Sequence, residues 1–60
     1  MKITVRFIDF SLEDFIMEGP NVDCAFKDGY LVVTSDCFSN KPEKRVTFNA
    51  DEVFCVVEEN

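Results

Sequence analysis

Histidine and tryptophan are absent from this 60-residue chain, which has only two glycines, two prolines and six lysine or arginine residues. Without histidine the commonest general base and metal ligand is gone, and no Cys–His or Ser–His nucleophile pair can be built. Three scattered cysteines, Cys24, Cys37 and Cys55, match no zinc spacing. Gly19 and Gly29 cannot make a phosphate loop, and no acid run has the calcium-loop pattern of alternate acids, glycine and a distal glutamate. The adjacent acids Glu13-Asp14, Asp51-Glu52 and Glu58-Glu59 would point to opposite faces of a strand, so such neighbours cannot act together on one bond. The sequence therefore predicts no enzyme, no cofactor and no metal. The longest apolar run, Val53 to Val57, falls far short of the ~20 residues of a membrane helix, so no membrane partner is expected. Basic residues are too few for the stripe that nucleic-acid binding needs, which excludes direct nucleic-acid contact.

What is present is apolar and acidic. Hydrophobic residues make up 47% of the chain, and seven are Phe. That suffices for one domain spanning residues 1–60, although a chain this short buries only ~60% of the surface its unfolded form exposes. The formal charge is −6, concentrated in residues 9–28 and 51–60. Such a chain repels nucleic acid and favours a partner with a basic patch. An odd cysteine count rules out a complete internal disulfide set and indicates a reducing compartment. Cys24 and Cys55, within apolar runs, read as small core residues. Met1-Lys2 leads straight into alternating residues with no signal-peptide core, so the cytoplasm is the expected location.

Periodicity argues for strands. Ile3, Val5 and Phe7 alternate with polar residues, and the phase slips at Phe7-Ile8, which suits a bulge. Residues 11–18 admit two readings. Ser11 could cap a two-turn helix ended by Gly19-Pro20, or Leu12 to Met17 could return antiparallel to the first strand, the reading favoured here because two turns are marginal alone. Val22, Cys24 and Phe26 share a face, and Asp28-Gly29 is a two-residue hairpin signal that pairs Phe26 with Leu31 and Cys24 with Val33. Asp36 to Lys44 reads as a polar loop broken by Pro42, its lysines and Arg45 forming a small basic cluster. Arg45 to Phe48 follows as a strand with Val46 and Phe48 inward, Asn49 to Glu52 as a turn, and Val53 to Val57 as the last strand. The fold class is mainly β: a small curved antiparallel sheet or partly open barrel of four to five strands, with 11–18 open to a short helix.

Two segments, Tyr30 to Val33 and Val53 to Val57, lack alternation and are apolar on both faces. Strands of that kind must be covered on both sides. So few strands cannot do this unless they close into a barrel, so a helix at 11–18, a second copy or a target protein must supply the cover. The candidate interface is Tyr30, Val32, Phe54 and Val56, with the acids Asp9, Glu13, Asp14, Glu18, Asp23 and Asp28 as a charged rim. The same carboxylates on a rigid sheet could instead imitate a phosphate row and fill a nucleic-acid-binding protein's groove.

Asp28-Gly-Tyr-Leu-Val-Val33, then Val46-Thr-Phe-Asn-Ala-Asp-Glu-Val53 and Val56-Val-Glu-Glu59, together resemble short acidic β-meander proteins carried by phages and prophages of Gram-positive bacteria. The resemblance covers roughly residues 28–59 and implies an inhibitor that docks on a host or anti-phage defence protein; it transfers no site residues. The sequence thus predicts a non-enzymatic protein-binding protein of this phage type, homodimer or not. The alternatives are an assembly protein that works by self-association and the DNA-mimicking inhibitor.

Overall fold

Strand β1 (Lys2–Phe7) sends Ile3 and Val5 inward to complete burial and leaves Arg6 in water, as its alternation requires. The computed structural model describes residues 1–35 and 44–60. Within them follow β2 (Phe15–Glu18), β3 (Val22–Lys27), β4 (Tyr30–Ser35), β5 (Lys44–Asn49), a 3₁₀ turn over Ala50–Glu52, and β6 (Val53–Glu59). They form two antiparallel three-stranded sheets, ordered β2-β1-β6 and β3-β4-β5. The mainly β antiparallel expectation holds, with six strands instead of four to five because Phe15–Glu18 pairs as a short edge strand.

The strand expected over Leu12 to Met17 forms over Phe15–Glu18 only, returning antiparallel to β1 with Leu12 to Asp14 left in the connection, and the helix alternative is set aside for a local reason. The Ser11 hydroxyl and N–H both donate to the Asp9 carboxylate, at 2.7 and 3.0 Å, and Leu12 N–H donates to the Asp9 carbonyl at 3.1 Å. A serine held in this Asx turn is not free to cap a helix. Phe15 and Met17 then pair with Val5 and Ile3.

The β3–β4 hairpin turns at Asp28-Gly29, with Phe26 opposite Leu31 and Cys24 opposite Val33 as the sequence predicts. Both turn residues have positive φ, 53° and 82°, the mirror-image turn that matches the twist of the flanking strands. β5 completes the meander, placing Val46 beside Val33 and Phe48 beside Leu31. The 3₁₀ turn occupies the predicted turn at Asn49 to Glu52, and β6 pairs with β1.

The sheets face each other across one core: Ile3, Val5 and Met17 from the first, Val22, Leu31 and Val33 from the second. Phe7 and Phe15 both meet Phe48 edge-to-face, with ring centroids 5.3 and 5.1 Å apart. The sheets do not close into a barrel, so each keeps an uncovered outer face.

Several expected positions need correction. Val56 lies opposite Val5 and packs on the core, so it is not part of an outer face. Cys55 is half-buried but opposes exposed Arg6 on the outward side of β6, whereas Cys24 does pack on the core. Phe26 stands in the inward row yet is 63% exposed. Cys37 and the polar loop over 36–43 lie outside the described residues.

Two substitutions test this account. Gly29→Ala meets no atom within 4 Å, so its cost is backbone strain alone, about 1–2 kcal/mol, read as a lower urea midpoint. Leu31→Ala leaves a cavity in a six-residue core, costs roughly 2–5 kcal/mol, and leaves the chain largely unfolded in a thermal scan.

Candidate protein-docking surface

Beyond β1 the chain rises onto the surface. Phe7 pairs with Val53 but Arg6 pairs with Cys55, so Phe54 is the extra residue of a bulge. Its ring, 61% exposed, meets the 83% exposed ring of Phe10 edge-to-face with centroids 6.2 Å apart. Ile8 N–H donates to the Glu52 carbonyl at 3.0 Å, which ties the 8–12 loop to the 3₁₀ turn. Between them is an open concavity of about 320 Å³ lined by Ile8, Asp9, Leu12, Asp51 and Glu52. Two of its lining residues are apolar and three carry carboxylates. The hydroxyl and then the N–H of Ser11 hold the Asp9 carboxyl below its ordinary value, so it is ionised at neutral pH.

Of the sequence-predicted residues, this surface unites Phe54 and Asp9. Glu13 and Asp14 are exposed on the same β1–β2 connection, with Asp14 3.5 Å from the Arg6 guanidinium in an ion pair worth at most ~1 kcal/mol. Glu18 ends β2 opposite Lys2. Val56 lies inward on β6, and the remaining four belong to the second sheet or its hairpin turn. Tyr30 is exposed opposite Lys27 and Asn49, and Val32 is half-buried between Ala25 and Thr47 on the outer face. Asp23 accepts the Cys24 N–H at 2.9 Å, and Asp28 sits in the hairpin turn. The six acids therefore occupy two sheets and make no single row. Sequence reasoning missed Ile8, Phe10, Leu12, Asp51 and Glu52 as parts of a surface. The available signal was the alternation Ile8, Phe10, Leu12 against Asp9 and Ser11, continuing past the slip at Phe7.

A polar contact bridges the two sheets. The Cys24 thiol donates to a Glu58 carboxylate oxygen at 3.3 Å. Burial, then this hydrogen bond and the charges of Glu58 and Asp23, push the thiol up to about 11. Such a thiol is a poor nucleophile. Among the described residues, no three Cys, Asp or Glu side chains gather as a metal site, and no helix is long and apolar enough to cross a membrane. Comparison with known proteins finds no matching family model, no similar curated protein and no similar solved structure.

The thiol's value has a measurable consequence. An acid whose folded value lies above its unfolded one, here 9.0, loses stability as pH rises between them. Urea midpoints are expected to fall between pH 9 and 11 more steeply for the native chain than for Cys24→Ala. Glu58→Gln is expected to lower the pH at which iodoacetamide alkylates Cys24.

Proposed function

We propose that this chain is a non-enzymatic protein-binding protein that docks on a basic surface of another protein through Phe10, Phe54, Ile8 and Leu12. The observation that carries this is the balance of apolar burial. Among the described residues six large hydrophobics are buried and nine are exposed, the most exposed being Phe10. Solvent-facing aromatic pairs beside a concavity are the usual anchors of an interface. Asp9, Asp51 and Glu52 at the rim select a basic partner and speed its approach. The resemblance of residues 28–59 to phage-type β-meanders supports a blocking role, in which occupation of the partner's surface is the whole activity. Cys24 and Cys55 are free, which fits a reducing cytoplasm.

The test compares the native chain, immobilised on resin, with two exposed-surface variants. Phe10→Ser/Phe54→Ser removes the anchors, and Asp9→Asn/Asp51→Asn/Glu52→Gln removes the rim charge. One protein retained stoichiometrically by the native chain is expected to be lost at least tenfold with the first variant, equivalent to ~1.4 kcal/mol. With the second, binding is expected to weaken and its salt dependence to flatten. Retention indifferent to both variants defeats this docking surface. A chain that elutes as a concentration-dependent dimer and retains nothing else is an assembly protein instead.

A further inference from the structure

The sandwich has a finished flank and an unfinished one. On one side Phe15 of β2 and Phe7 of β1 close against Phe48 of β5. On the other, Cys24 of β3 reaches Glu58 of β6. Phe26 shares its inward row with buried Leu31 and half-buried Phe48 but stays 63% exposed. The facing row of the first sheet runs from Phe15 through Val5 to Val56 at its edge. Half-buried Val56 and exposed Phe26 are thus the edge residues of the two inward rows.

The backbone on this flank is open. Met1 and Gly19 exchange two hydrogen bonds of 3.0 Å, while Ile8 N–H bonds Glu52. Odd residues of β1 therefore bond β2 and even ones bond β6. The β6 partners of Lys2, Thr4 and Arg6 are Glu59, Val57 and Cys55, so the N–H and C=O groups of Val56 and Glu58 point away from the sheet. The other edges are blunted: Asp23 occupies the Cys24 N–H of β3, β2 has four residues, and β5 carries Lys44 and Arg45. β6 has seven residues and no Lys, Arg or Pro; its bulge lies at Phe54, short of Val56 and Glu58, and its charges are the carboxylates of Glu58 and Glu59, which turn away an acidic strand and not a basic one.

We propose that the outer edge of β6 accepts an extended strand from a basic partner protein, its alternate apolar side chains entering over Val56 and Phe26. Charge decides the occupant: on β3, β6 and the hairpin turn Glu58, Glu59, Asp23 and Asp28 outnumber Lys27 and Lys2, the latter on β1 across from Glu59, and a second copy would bring the same excess of carboxylates. Lysine or arginine at the ends of the incoming strand meets them. Main-chain bonds supply affinity and the apolar slot supplies register, the logic of strand addition to a sheet edge. This rests on the reading that the chain binds a protein, but it uses a flank distinct from the Phe10 rim.

The probe is the capped peptide Lys-Thr-Val-Thr-Val-Thr-Lys, with glutamate-flanked and proline-centred versions as controls, added to the full chain. Amide exchange at Val56 and Glu58, followed by NMR, is expected to slow at least tenfold with the lysine peptide and not with the controls. Phe26→Ser, an exposed site, is expected to weaken the peptide tenfold, and N-methylation of the Val56 amide to abolish protection at Glu58. Unchanged exchange, equal protection by the glutamate-flanked peptide, or protection that grows with chain concentration alone overturns the proposal. Peptide protection that survives Phe10→Ser/Leu12→Ser separates this edge from the rim, so either reading can fail without the other.

Discussion

The contact between the inward rows of the two sheets, Ile3 and Val5 on one side and Leu31 and Val33 on the other, is what every other feature rests on. These are the fully buried side chains, and they stand on the central strands β1 and β4. The chain has too little mass to wrap them in a second layer, so the edge strands are covered only in part. Cys24, Val46, Phe48, Val53 and Val56 form that half-wet border. Loss of a single buried methyl group is therefore felt across the whole molecule, because no redundant packing exists to absorb it.

The same shortage shapes the exterior. A larger domain would fold a helix over the first sheet, where Ile16 and Val57 stay about half in water beside Thr4. Here the residues that might have made that helix are committed to the Asp9–Ser11 turn and to β2. The surplus apolar surface gathers where the chain leaves regular pairing, at the bulge and the 8–12 loop, with acids around it. Carboxylates keep such a surface soluble and also bias what can approach it, so one set of charges serves both ends.

Much of this was legible in the sequence. The period-two run of β1, the Asp28-Gly29 turn and the β5 alternation each fix register locally, and each forms as read. Which face of β6 turns inward was not legible. Five consecutive apolar residues carry no phase, and only the bulge at Phe54 assigns Val56 to the core and Cys55 to the outside. The exposure of Phe26 was equally hidden, because alternation gives a side chain's direction but not whether anything stands above it. Of the interface candidates, Phe54 and Asp9 share one surface, while Tyr30 and Val32 belong to the other sheet, a separation set by the pairing of sheets that no local pattern encodes.

The register of β1 with β6 couples the first and last strands of the chain, Lys2 lying across from Glu59. The β3-β4-β5 meander can zip from its own tight turn, since its strands are neighbours in sequence. The other sheet needs segments some fifty residues apart to find each other, a search whose entropic cost is met before any pairing rewards it. The half with the larger closure cost is also the half that bears the aromatic pair and the β6 edge. Until it closes, β6 is a loose apolar ribbon, and the speed of that closure sets how long the nascent protein is exposed to clumping with its own kind.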